Sequence, residues 1–146
     1  MKEMSASLQL FVRLARVNAI MVRRFDGRLG HGLGFNDFVI LLTLSQSPDG
    51  KLRRIDLAES LGLTASGVTR LLAPMEKIGL VKREVNEHDA RVSYVVLASG
   101  GKRLLAESME RAELLSEEVV ASVKAQKLNE LFAGALNGFP AFGTLR

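Results

Sequence analysis

Four polar residues of the segment LTASGVTRLLAPMEKIGL, residues 63–80, are spaced so that they could act together: Ser66, Thr69, Arg70 and Lys77. At about 100° per residue they share one side of a helix with Ala73. Val68, Leu71, Leu72, Met75 and Ile78 share the other side and are expected to face a core. The chemistry such a polar face supports is recognition, not bond breaking. An arginine offers two parallel donors that match O6 and N7 of a guanine edge, and small neighbours let the backbone approach a groove. Thr64 is placed to cap this helix, and the free N–H groups of its first turn suit a phosphate. A solvated helix face can carry the same residues, so the assignment depends on what surrounds the helix.

A second constellation follows in NEHDARVSY, where Asp89 and Arg91 flank a loop tip. An arginine on a projecting ribbon can enter the narrow, electronegative minor groove, with a carboxylate beside it to hold its orientation. Other chemistries lack their parts. The sequence contains no cysteine, which excludes disulfides and thiolate metal sites, and its two histidines, His31 and His88, lie in separate loops. Neither a metal site nor a cofactor is expected. No nucleophile–base pair, carboxylate dyad or phosphate loop has supporting context, so an enzyme is not expected.

The elements that must hold these residues can be read from hydrophobic spacing. Residues 7–29 carry Leu10, Phe11, Leu14, Val17, Met21 and Phe25 at helical intervals. DGRLGHGLGF then interrupts with four glycines. A long helix precedes those glycines, not a strand, so they read as a flexible connection and not as a phosphate cradle. A helix from about Asn36 to Ser45 or Gln46 follows, with Asn36 as its N-cap. SQSPDGK supplies a turn. RRIDLAESLG reads as a short helix closed by Gly62, and the segment at 64–79 comes straight after it. Two helices joined by a short glycine-containing turn form a helix-turn-helix, and this makes the second of them a recognition helix. Pro74 removes one hydrogen bond inside it and is expected to kink it near Ala73, leaving residues 64–72 straight. LVKREV and RVSYVVL read as two strands around the loop NEHDA. A helix from Ala98 or Ser99 to about Val123 carries Leu105, Met109, Ala112, Leu115, Val119 and Val123 in one stripe. A last helix holds Leu128, Leu131, Phe132 and Leu136, ahead of a loose Gly/Pro tail.

At 146 residues with 47% apolar composition and a net charge of +4, the chain fits one globular domain with a mild preference for a polyanion. Residues 51–91 hold eight Lys/Arg against six Asp/Glu, and Lys51, Arg53, Arg54, Lys82 and Arg83 cluster near element ends. The run FVILLTL is too short to span a membrane, and the N-terminal residues lack the continuous apolar stretch of a signal peptide. A cytoplasmic protein is expected.

The order of DLAESLGLTASGVTRLLAPMEKIGLVKR, Asp89-Ala90-Arg91 and the Leu97–Gly101 segment resembles the MarR family (multiple antibiotic resistance regulators) over nearly the whole chain. The resemblance implies a mainly α (α+β) fold, a winged helix-turn-helix with long N- and C-terminal dimerisation helices. In that frame residues 1–146 form one domain, with a DNA-binding lobe at about 51–98 and dimerisation helices at about 7–29 and 99–137. It further implies a homodimer on a double-stranded, pseudo-palindromic DNA operator, from which a small aromatic or phenolic ligand releases a repressor. The alternative is a winged-helix DNA-binding protein with no small-molecule response. By position, Ser66, Thr69 and Arg70 resemble the base-facing residues and Arg91, held by Asp89, the minor-groove arginine. The residue between them, often basic in the family, is Ala90. The hydroxyl residue that usually caps the first motif helix is missing, which leaves Asp56 to meet the helix dipole.

Overall fold

The computed structural model describes residues 2–120 and 125–138. Among them the chain forms α1 (Ala6–Phe25), α2 (Phe35–Ser45), β1 (Lys51–Arg53), α3 (Arg54–Leu61), α4 (Ala65–Lys77), β2 (Val81–Val85), β3 (Ser93–Leu97), α5 (Ser99–Val119) and α6 (Ala125–Gly138). Mostly helical structure with a small antiparallel sheet is what the sequence leads one to expect. The sheet has three strands in the order β1-β3-β2, with Leu52 opposite Val95 and Val81 opposite Leu97.

α2 is the hub. Its Phe38, Ile40, Leu41 and Leu44 are buried, as a helix apolar on most sides must be. Leu57 of α3, Val68, Leu72 and Met75 of α4, Val95 and Leu97 of β3 and Leu105 of α5 complete the same core. α4 therefore rests on a packed base, and its polar face is turned outward.

The connection between α1 and α2 differs from the flexible loop expected. α1 stops at Phe25, four residues early, and the following segment packs Leu29 and Leu33 into the core. Gly27, Gly30 and Gly32 take φ of 77°, 89° and 70°, a region open to glycine at little cost. These glycines shape a fixed turn. Asp26 Oδ1 accepts from the Phe35 N–H at 2.8 Å and Asp37 accepts from the Gly34 N–H at 3.1 Å. Gly34, not Asn36, is thus the N-cap of α2. Burial raises the Asp37 carboxyl above its usual range, partly offset by that N–H.

The start of α5 needs its glycine for a different reason. A Cβ on Gly101 would collide with the Leu80 carbonyl oxygen and press on Leu97 and Leu41. The close approach locks the wing base to the long helix, and Ala98 N–H donates to that same Leu80 oxygen. α5 ends at Val119, short of the expected Val123. Val123, like the tail after residue 138, lies outside the described residues. Of the expected stripe Leu105, Ala112 and Leu115 are buried and Met109 packs against the core.

Candidate nucleic-acid interface

α3 and α4 meet through a tight turn at Gly62, whose φ of 66° reverses the chain as expected of a helix terminator. Thr64 caps α4, its Oγ1 accepting from the Gly67 N–H at 3.1 Å. The Ser66 hydroxyl lies 3.2 Å from that same oxygen. Ser66, Thr69, Arg70, Ala73 and Lys77 are all exposed, and Val68, Leu72 and Met75 are buried opposite them. One core assignment fails. Ile78 is 69% exposed because α4 ends at Lys77 and Ile78 occupies the cap, where the helical wheel no longer applies. The helix continues through Pro74 to Lys77. At 1.5 Å per residue Lys77 stands roughly 16 Å along the axis from Ser66, so the two ends of the face meet different parts of any ligand.

The wing is built by Asn86, which sequence reasoning passed over. Its Oδ1 accepts from the His88 and Asp89 N–H groups, and its Nδ2 donates to the Tyr94 hydroxyl at 3.3 Å. The loop runs over residues 86–92, slightly longer than NEHDA. Within it Asp89 Oδ1 accepts from Arg91 N–H at 3.0 Å and from Arg91 Nε at 3.1 Å. The Arg91 side chain is 91% exposed yet held by this clamp. The guanidinium lowers the Asp89 carboxyl below its usual range, with the Arg91 N–H adding to the effect. The carboxylate therefore remains ionised at neutral pH, and the clamp is lost only as pH falls through that lowered value.

The basic cluster divides into two sets. Lys51 pairs with Glu84 at 3.1 Å and stands over the Tyr94 ring, Arg53 pairs with Asp56 at 2.7 Å, and Arg54 pairs with Glu76 at 2.7 Å. Their partners raise the Lys51 and Arg53 pKa values. Asp56 thus holds Arg53 as well as sitting in the first turn of α3. Arg70, Lys77, Lys82 and Arg83 are exposed and have no carboxylate partner among the described residues. β1 was missing from the sequence reading. Its three residues are too few to show alternation, yet it carries Lys51 and Arg53 to the sheet edge.

A groove of about 390 Å³ runs between the start of α4 and the wing. Arg53 lines it from the end of β1, Arg54 from the start of α3, Ala65 from the start of α4, and Arg83, Arg91 and Ser93 from the wing. Four arginines converge there, and Arg54 Nε and Ser93 Oγ are buried without a hydrogen-bond partner. A second cleft of about 350 Å³ lies between α1, α2 and the helix-turn-helix. Phe35, Val39, Leu61, Leu63 and Leu71 give it apolar walls, and Asn18 and Asn36 supply amides.

Residues 35–93 match the model of the MarR family. The chain is 31% identical over 105 residues to the HTH-type transcriptional repressor YetL of Bacillus subtilis, covering 69% of this chain and 61% of that protein. Its fold superposes with a TM-score of 0.81 on the transcriptional regulator BldR from Sulfolobus solfataricus, at 27% identity over 95% of this chain and all of that one. It also superposes, with a TM-score of 0.79 and 24% identity, on Sco3205 of Streptomyces coelicolor, a MarR family regulator solved in complex with DNA. That match covers 94% of this chain and 91% of the other.

Proposed function

We propose that this chain is a regulator of the MarR family, whose model its residues 35–93 match, and that it acts as a homodimeric repressor on a pseudo-palindromic operator, released by a small aromatic ligand. DNA-binding transcriptional regulation is the family's activity; dimer, operator symmetry, ligand response and a cytoplasmic location are the further content of the proposal. The observation that carries it is the arginine-lined groove running from the start of α4 to Arg91. Arg53, Arg54 and Arg91 are each held there by a carboxylate while Arg83 is not, and together with the exposed Arg70, Lys77 and Lys82 and the α4 N-terminus they make a face complementary to a phosphate backbone. In this reading Ser66, Thr69 and Arg70 meet base edges, Thr64 presents the α4 N-terminus to a phosphate, Lys77 meets backbone, and Arg91 enters the flanking minor groove with Asp89 as its clamp. The dimer forms through the helices at either end of the chain, and the lobe at about 51–98 holds the DNA.

Arg91→Ala should weaken operator binding and leave the melting temperature nearly unchanged, because the side chain is almost wholly exposed. The loss should be largest where the flanks are A/T-rich and the groove narrow, and Asp89→Ala should show a milder form of it. Fluorescence anisotropy on duplexes differing only in their flanks checks this. A sharply lowered melting temperature with unchanged affinity per folded dimer would make Arg91 a structural ion-pair partner instead.

The cleft beside α1 supports the release step. Its walls suit an aromatic ring, its two amides suit a hydroxyl or carboxylate, and it touches α4 through Leu71. Benzoate and phenol derivatives titrated into the protein–operator complex should dissociate it. Val39→Phe, which narrows the cleft, should raise the midpoint of that release at least about tenfold, since a displaced ring forfeits more than 1.4 kcal/mol of burial. Release that is indifferent to Val39→Phe places the ligand elsewhere. No release by any such compound favours the alternative without a small-molecule response.

A further inference from the structure

Arg54 ties the start of α3 to the outward face of α4. Its Nη2 donates to Glu76 Oε1 at 2.7 Å and its Nη1 donates to Thr69 Oγ1 at 3.2 Å. The Arg54 and Glu76 side chains are only 23% and 32% exposed, so the pair is well anchored for a surface contact. Thr69 in turn donates its hydroxyl proton to the Ala65 carbonyl oxygen at 3.0 Å.

A threonine hydroxyl has one proton and two lone pairs. Here the proton is committed to the helix backbone and one lone pair is taken by a guanidinium. An unengaged hydroxyl at a groove-facing position donates to or accepts from almost any base edge, whereas a threonine methyl packs against the C5-methyl of thymine. With Oγ1 bound on two sides, the side-chain torsion is locked; the hydroxyl can no longer donate and keeps one lone pair, and the γ-methyl, which diverges from Oγ1 at Cβ, is held in one place for an apolar partner.

We propose that Arg54 is a positioning residue that turns Thr69 into a thymine reader, holding the hydroxyl against α4 so that the γ-methyl meets one thymine C5-methyl in each half-site. The proposal rests on α4 being the base-reading helix. It makes Arg54 a determinant of sequence choice without any base contact of its own.

The test uses a duplex selected by the protein from a randomised pool, with deoxyuridine replacing each thymidine of one half-site in turn. For the wild type, one position should lose about fourfold in affinity, the equivalent of one buried methyl. Thr69→Ser keeps the hydroxyl network and lacks the methyl, so the uracil effect should vanish there and persist at other thymines. Arg54→Gln should abolish the same effect. Arg54→Lys, which keeps the charge but lacks the planar fork that holds Glu76 and Thr69 together, should abolish it too. Should Arg54→Gln fail to fold, Arg54→Lys and Thr69→Ser carry the test. A thymine preference that survives Thr69→Ser overturns the proposal. So does an Arg54 variant that weakens every duplex alike with the preference intact, since Arg54 then touches phosphate. If no uracil substitution matters while Arg70→Ala still relaxes choice at its own base pair, the thymine reading alone falls. Insensitivity to all of them means α4 does not read bases, and both readings fall.

Discussion

Phe11→Glu combined with Phe132→Glu should convert the protein to a monomer and lower its affinity for a two-half-site duplex by about 10²–10⁴-fold. Phe11 is 52% exposed on α1 beside Leu10, while Val17 and Ile20 are exposed further along the same helix; Phe132 is 43% exposed on α6 beside Leu128 and Leu131. Each large apolar side chain left in water forgoes roughly 1.5–3 kcal/mol of burial, and a monomer rarely tolerates such patches. In the proposed dimer a second copy of the chain covers them. Glutamates buried in that interface would lack partners, so the dimer should dissociate. Two lobes held together bind the second half-site at an effective concentration near millimolar, and monomers forfeit that advantage. Sedimentation equilibrium and anisotropy measure the two effects. A wild-type protein that sediments as a monomer at micromolar concentration contradicts the account.

Arg70→Ala should reduce discrimination by about 1–3 kcal/mol at one base pair of each half-site. Arg70 lies on the exposed face of α4 with no carboxylate partner among the described residues, so its donors are free for a guanine edge. Because it supports neither the core nor the cap, the melting temperature should stay within about 0.5 kcal/mol equivalent of the wild type. Affinity for random DNA should fall far less than affinity for the operator. Lys77→Ala, at the far end of the same face, should instead weaken both together and reduce the salt dependence. Competition binding against duplexes altered one base pair at a time separates these outcomes. Equal losses on operator and random DNA mean that Arg70 meets only phosphate.

Where the chain obeys a period, its sequence was readable. The split of α4 into Val68, Leu72 and Met75 against Ser66, Thr69 and Arg70 follows from the helical repeat alone, and Thr64 and Gly62 mark the turn by their capping chemistry. Ile78 was misread because the same repeat was carried one residue past the helix end. The glycine-rich turn was misread because composition reports freedom of the unfolded chain, not packing. Only tertiary contacts place Leu29 and Leu33 in the core and set Asp26 and Asp37 against the start of α2. β1 owes its existence to the edge offered by β3, a partner about 40 residues away, and three residues cannot announce that. The Asp89–Arg91 clamp was legible as a local i,i+2 pair. The Arg54–Thr69 contact was not, since it spans 15 residues and two helices.

Recognition of a particular DNA sequence as a symmetric pair is tested by repeated selection of bound duplexes from a randomised pool at near-physiological salt. One inverted repeat should be enriched, with half-site centres about one helical turn apart, roughly 34–36 Å, and bound by two protomers. A bound pool that stays as random as the input, with affinity set by salt alone, means that the surface does not read sequence.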